Sequence, residues 1–147
     1  MFQVIMMKDA YMDYAATTYV DPRVKKEMDK YFSKYFGNPG SFNQYGLVAK
    51  NAIGNAREKI ANLLGADEKE IIFTGSGTES INLAIKGAAM ALKQKGNHII
   101  TQKTEHHAVI ESCGALKEEG FEITYLDVDK YGIIDLNELE NAIKPST

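Results

Sequence analysis

The chain has a single cysteine, Cys113, so no disulfide can close within it, and a lone thiol suits a reducing compartment. It has no surplus of positive charge. Lys plus Arg number 17 against 20 Asp plus Glu, a net charge of −3, with no basic block or stripe, so nucleic acid is not an expected partner. No apolar run approaches the roughly 20 residues of a membrane helix, and no membrane is expected. Met1 to Met7 is apolar except for Gln3, yet it lacks a basic leader and a cleavage site and does not read as a signal peptide. These absences point to a cytoplasmic protein. There is no internal repeat or low-complexity tract, and 147 residues suffice for one domain with a real core.

The most informative stretch runs from Ile71 to Ser80. Ile71, Ile72 and Phe73 are apolar and β-favouring, and predict a buried strand. Gly75 and Gly77 follow, residues able to take backbone angles closed to others and to let a ligand approach the main chain. Apolar positions at helical spacing then appear in Ile81, Ala84, Ile85, Ala88 and Leu92. A helix entered this way aims free N–H groups and a positive dipole end at the turn, which makes an anion site, most often for phosphate. The alternative is a strand-to-helix turn that uses glycine for geometry alone.

The kind of phosphate can be narrowed. Gly77 is followed by Thr78-Glu79 instead of the Lys-Ser/Thr pair of a P-loop. Ser80 stands where a dinucleotide fingerprint wants a third Gly or Ala. Glu79 suits a helix start but would repel a pyrophosphate brought close. A single phosphate held by main-chain amides and the Thr78 hydroxyl fits better.

Elsewhere, Met12 to Thr18 reads as an irregular arm. Asp21-Pro22 announces a helix, with Asp as cap and Pro at the first helical position, and Val24, Met28, Tyr31, Phe32 and Tyr35 as its apolar face. Gly37-Asn38-Pro39-Gly40 stops it and forms a loop suited either to a site wall or to a plain connection. A long helix is predicted over about Gln44 to Leu64, ended by Gly65, with Ala49, Ile53, Ala56, Ile60, Leu63 and Leu64 along one stripe. The helix after the glycine turn runs to about Lys95. His98 to Thr101 is a second strand, Ala108 to Glu119 a helix closed by Gly120, and Phe121 to Leu126 a third strand. Asp135 caps a last helix to about Ile143, with Leu136, Leu139 and Ile143 on its apolar face. Alternating strands and helices predict an α/β fold with a parallel sheet, and ligands in such sheets sit at the carboxyl ends of strands. Two loops stand there, 75–78 and 102–107.

His106 and His107 close the second loop beside Glu105. A histidine at a strand's carboxyl end can stack on a flat ligand or move protons near neutral pH, or it can belong to a solvated polar loop. The adjacent pair does not make a metal site, because no further ligand sits in helical register and Cys113 lies well into the next helix. For Cys113, mid-helix, packing is the expected role.

Four motifs, in order and at matching spacing, resemble the cysteine desulfurases, pyridoxal-phosphate enzymes related to class V aminotransferases. They are Asp13-Tyr14-Ala15-Ala16-Thr17-Thr18, Phe36-Gly37-Asn38-Pro39-Gly40-Ser41, Thr74-Gly75-Ser76-Gly77-Thr78-Glu79-Ser80 and Thr104-Glu105-His106. Asn82 to Gly87 and Gly132 to Asp135 add to the match, which covers the chain from about Tyr11. The resemblance implies part of the three-layer α/β/α large domain of the aspartate-aminotransferase fold. Residues 1–20 would be an N-terminal arm, and 21–147 the N-terminal part of the cofactor-binding domain, stopping before the cofactor lysine. It implies removal of sulfur from L-cysteine, leaving alanine, and transfer of that sulfur to an acceptor or scaffold protein for iron–sulfur or tRNA-thiolation pathways. The complete enzyme would be a homodimer.

By position, Gly77 and Thr78 would hold the phosphate of pyridoxal 5'-phosphate without a covalent bond. His106 would stack on its ring and assist proton transfers, while Ala15, Ala16, Thr17 and Asn38 would line the substrate entrance. The departures are as informative. The family's cofactor lysine follows a histidine, and none of His98, His106 and His107 is followed by lysine. Gly75-Ser76-Gly77 stands where Ser-Gly-Ala or Ser-Gly-Gly is common in the family. The sulfur-accepting cysteine lies later in the family than residue 147, and Cys113 does not replace it. The chain therefore looks like the N-terminal portion of a desulfurase and is expected to be inactive alone. Two other readings stand beside this one: a non-catalytic binding or interaction module built on the half-fold, and a nucleotide-phosphate-binding α/β domain.

Overall fold

A computed structural model describes residues 10–147; the stretch Met1 to Met7 lies outside the described residues. The chain divides into two compact units, Met1–Ile71 and Ile72–Thr147.

In the first unit the arm folds into a turn. The Tyr11 hydroxyl lies 2.9 Å from the Asp13 carbonyl and 3.1 Å from that of Thr17. The Ala16 amide donates to the Asp13 carbonyl at 3.1 Å. Helix α1 spans Pro22–Ser33, and Asp21 caps it by accepting the Arg23 amide at 2.8 Å, as the Asp-Pro pair predicts. Its apolar face stays exposed: Val24, Met28, Tyr31 and Phe32 are all among the exposed large apolar residues. Helix α2 spans Gln44–Leu64 and is capped by Asn43, which accepts the Gly46 amide at 2.9 Å. It ends on Gly65 at φ 66°, a left-handed angle that favours glycine. Between these helices the backbone packs tightly. A Cβ on Gly37 would fall 2.2 Å from the Tyr45 carbonyl oxygen, and one on Gly46 would fall 2.3 Å from that of Ser41. A 3-10 turn, Glu68–Glu70, follows with a capping box from Asp67, a local element the apolar periodicity does not reveal.

The second unit holds helix α3 (Gly77–Leu92), strand β1 (His98–Gln102), helix α4 (His107–Glu118), strand β2 (Glu122–Leu126) and helix α5 (Leu136–Ala142). β1 and β2 pair in parallel, in register from His98 with Glu122 to Gln102 with Leu126. Parallel neighbours need a crossover, which α4 supplies while α3 packs against it. Gly120, at φ 89°, reverses the chain and lets Phe121 turn into the core. That core consists of Ala108, Cys113, Leu116, Phe121 and Leu126. His98 is buried at the amino end of β1 with both ring nitrogens satisfied, 2.8 Å from the hydroxyls of Thr147 and Thr124. After β2, Val128 bridges Ile134 around Gly132, and Asp135 caps α5 by accepting the Asn137 amide at 2.8 Å.

Two expectations are corrected. Ile71 to Phe73 is extended but belongs to no sheet among the described residues, and Ile72 is 65% exposed instead of buried. Among the described residues the sheet has two strands, not three. A β-favouring run becomes a strand only when a neighbour takes up its main-chain groups, and among the described residues β1 pairs with β2 alone. Helix α3 also stops at Leu92, short of Lys95.

Candidate active site

The turn before α3 is held by its own side chains. Ser76 caps the helix, its hydroxyl accepting the Glu79 amide at 3.2 Å. The Glu79 carboxylate reaches back and accepts the Gly75 amide at 2.6 Å. The hydroxyls of Thr74 and Ser80 lie 2.6 Å apart, at 3.1 and 3.2 Å from the Ser76 carbonyl oxygen. The amides from Gly75 onward therefore do not all converge on one ligand. Those of Gly75 and Glu79 are taken within the protein, and the Ser80 amide donates to the Ser76 carbonyl at 3.0 Å. Among the described residues, the amides of Gly77 and Thr78 and the Thr78 hydroxyl have no acceptor. The two amides are among the first-turn groups a helix leaves open, and the hydroxyl stands beside them.

The glycines act differently from the sequence expectation. Neither Gly75 nor Gly77 has a positive φ. A Cβ on Gly77 would meet nothing within 4 Å, whereas one on Gly75 would lie 3.2 Å from Glu79 Oε2. Glycine here leaves the backbone bare for a close approach and is not required by a left-handed angle. The resulting donor set, two exposed amides and a hydroxyl at a helix N-terminus, fits one phosphate group.

His106 stands at the exit of β1 and caps α4, an exposed ring whose Nδ1 accepts the Ala108 amide at 3.1 Å. Histidine is not among the usual capping residues, so composition carried no signal of this role. His107 opens the helix itself, its ring 6.4 Å from that of His106 and edge-on to it. Helix α4 joins two parallel strands, so its amino end lies at their carboxyl edge. Helix α3 leads, through 93–97, into the amino end of β1. The carboxyl edge of β1 and β2, where α4 begins, is the edge at which α/β proteins bind ligands.

Ala15, Ala16, Thr17 and Asn38 lie in the first unit, the first three in the exposed turn of the arm. Asn38 is fixed by its own loop, its carbonyl accepting the Ser41 amide at 2.9 Å and its Oδ1 the Gly40 amide at 2.8 Å. Cys113 is 1% exposed. Burial pushes its thiol above the ordinary range, and the nearby charge of Glu105 adds to the effect, as expected of a packing cysteine. Among the described residues no group of three or more His, Cys, Asp or Glu could hold a metal ion, and no helix is long and apolar enough to cross a membrane.

Residues 10–147 match the aminotransferase class-V family, and the chain belongs to it. The family is pyridoxal-phosphate-dependent in general. Among its relatives, the cysteine desulfurase IscS of Dictyoglomus turgidum is 51% identical over 142 residues, 97% of this chain. The solved structure of a NifS-like protein superposes with a TM-score of 0.86 at 40% identity, over 92% of this chain and 37% of that one. A structure described as SspA in complex with cysteine gives 0.84 at 43% identity, over 93% of this chain and 40% of that one. The chain spans about a third of the length of the curated relatives it matches, 36% in the case of the Dictyoglomus protein.

Proposed function

We propose that this chain is the N-terminal portion of a cysteine desulfurase and contributes the phosphate cradle and ring-facing wall of its pyridoxal 5'-phosphate site. The observation that carries this reading is the trio of open donors, the Gly77 and Thr78 amides and the Thr78 hydroxyl, in a chain of the class-V family. When bound, the cofactor supplies an electron sink for carbanion chemistry at the substrate. The chain's own residues bind and orient. Gly77 and Thr78 take the phosphate oxygens, and the helix dipole of α3 favours that charge. Glu79 holds the turn from behind through Gly75, so the open donors need little rearrangement on binding. The exposed His106 ring offers a flat face for stacking and a proton-carrying nitrogen. Ala15, Ala16, Thr17 and Asn38 line the entrance for L-cysteine; the SspA structure is described as a complex with cysteine.

Partners follow from the same reading: a second copy in a homodimer of the complete enzyme, and a sulfur acceptor or scaffold protein. The uncovered apolar faces support a larger assembly. Besides α1, they include an open groove of about 750 Å³ between α3, β1 and α5, lined by residues such as Ile85, Leu92, Ile100 and Ile143. We place the complete protein in the cytoplasm.

The test compares pyridoxal phosphate with pyridoxal, which lacks the phosphate, by equilibrium dialysis against the chain and its Thr78→Ala and Thr78→Ser variants. A hydrogen bond to a charged group contributes about 1.5–3 kcal/mol, and at this exposed turn the low end applies. Thr78→Ala should weaken pyridoxal phosphate by about 10- to 30-fold, Thr78→Ser should restore it, and pyridoxal should be indifferent to both. Equal binding of the two compounds to the parent chain would rule out the cradle.

A further inference from the structure

We infer that residues 135–147 form a flap that opens as a unit while the rest of the second unit stays folded, hinged at the turn 129–133 and latched by the buried side chain of His98. This does not rest on the cofactor site proposed above, since neither Thr78 nor His106 takes part. Helix α4 buries Ala108, Ser112, Cys113 and Leu116, whereas α5 buries no residue. Leu136 is 71% exposed, Ile143 is 59% exposed, and Leu139 is only half-buried. Apolar burial, which holds α4 in place, is therefore small for α5. Segments with so little burial occupy the low end of the local stability scale.

The attachment of this segment is polar instead, and it converges on His98, which is 4% exposed. The Asn97 carbonyl and the Lys103 amide bond to β2, so the odd-numbered residues of β1 face their partner and the His98 amide points to the other side. There it donates to the Ser146 carbonyl at 2.9 Å. The ring continues the join, with Nδ1 2.8 Å from the Thr147 hydroxyl and Nε2 2.8 Å from that of Thr124 in β2. The Thr147 hydroxyl also accepts the Lys144 amide at 2.8 Å, and the Thr147 amide donates to the Lys144 carbonyl at 2.9 Å. Residues 144–147 are thus a closed turn, presented to His98 as one piece. Gly96 leaves room for it, because a Cβ there would fall 2.2 Å from the Ser146 carbonyl oxygen. The exposed pair of Lys144 and Glu122 adds little. At the other end of the flap the bonds are local. Asp129 Oδ1 accepts the Tyr131 and Ile133 amides at 2.8 and 3.0 Å, Gly132 takes φ 82°, and Val128 bridges Ile134. These bonds lie within the turn and survive when α5 swings away. Opening then removes from the groove beside β1 the wall made by Leu139, Ile143 and Thr147, and it lets water reach the His98 ring.

Native-state hydrogen exchange of the chain, resolved by NMR, tests the flap. In the parent, the amides of 139–142, bonded within α5, should exchange at least about tenfold faster than those of Cys113 and Leu116 in α4. Thr147→Val removes the hydroxyl that joins the closing turn to the ring and keeps the shape of the side chain. While the flap is closed it leaves His98 Nδ1 buried without that partner, a penalty that opening relieves. The variant should therefore speed α5 exchange at least about fivefold, the effect of one net hydrogen bond, and leave α4 unchanged. Thr147→Ser should restore the parent rates. His98→Gln should speed the same α5 amides, and its effect should not add to that of Thr147→Val, because both remove one joint. If His98→Gln does not fold, the two Thr147 variants decide alone. Equal protection of α4 and α5 in the parent, or equal acceleration of both helices in Thr147→Val, would show one cooperative unit and overturn the flap. Unchanged α5 exchange in Thr147→Val would overturn the latch. None of these measurements uses a cofactor, so their failure leaves the phosphate cradle intact, and failure of the Thr78 test leaves them standing.

Discussion

Helix α2 contains two glycines whose replacement by alanine should have opposite effects. Gly54 lies in mid-helix, and a Cβ there would meet nothing within 4 Å. Gly54→Ala should therefore collect the helix-propensity gain of about 1 kcal/mol with no steric cost. Gly46 lies in the first turn and is buried, and a Cβ there would stand 2.3 Å from the Ser41 carbonyl oxygen, 2.6 Å from that of Asn38 and 2.9 Å from Ser41 Cβ. Two of those neighbours are main chain, so relief requires the loop to move, not a side chain to swing. Overpacking of this kind costs about 1–3 kcal/mol, and the upper part of the range applies where backbone must shift. After the propensity gain, Gly46→Ala should be destabilised by about 1–2 kcal/mol, leaving the two variants about 2–3 kcal/mol apart. Urea and thermal unfolding followed by circular dichroism would measure this. The same displacement pushes on Asn38, whose carbonyl and Oδ1 anchor the loop proposed to wall the substrate entrance. If Gly46→Ala proved as stable as Gly54→Ala, the close packing of loop and helix would be wrong, and with it the reason that Asn38 is held in place.

Three further outcomes are expected. Cys113, buried and with its thiol pushed up, should resist a disulfide reagent such as DTNB in the native chain at neutral pH and react at once in urea; rapid native labelling would contradict its place in the core. The Lys144 ammonium, by its hydrogen bond first and its charge second, holds the Glu122 carboxyl below its ordinary value of 4.5. A depressed folded-state value stabilises above the unfolded one, so any stability difference between the parent and Lys144→Met should be present above about pH 4.5 and fade as acid protonates Glu122. Because both groups are exposed, that difference should be small and shrink in salt, and a gap that widened in acid would reverse the assigned sign. Finally, the 147-residue chain supplied with pyridoxal phosphate and L-cysteine should release no sulfide, and borohydride should fix no cofactor to a lysine, since none follows His98, His106 or His107. Turnover by the pure monomer would show that the chemistry does not need the lysine and thiolate the family uses.

Local signals in the sequence were enough to locate most helix ends. Asp21-Pro22 starts α1, Gly65 ends α2 in the left-handed region, Gly120 closes the α4 turn and Asp135 opens α5. Each depends on a residue and its immediate neighbours, a capping oxygen, a fixed φ or a freed one, so nothing distant needed to be known. The start of α3 at Gly77 was legible for the same reason, and so was the packing role of Cys113. What the sequence could not decide depends on partners far along the chain or on side-chain reach. Ile71 to Phe73 has the composition of a strand, but membership of a sheet requires a neighbour, and among the described residues β1 pairs with β2 alone. The glycine turn suggested a row of open amides, but Glu79 and Ser76 take two of them, because a carboxylate three residues into a helix can fold back over its start. The motif resemblance singled out His106 from its neighbour His107, but no residue in it announced a helix cap. Only the path of the chain out of β1 makes the first a cap with one nitrogen engaged and the second an ordinary helical residue, because hydrogen bonding at a helix end depends on position in three dimensions and not on residue type.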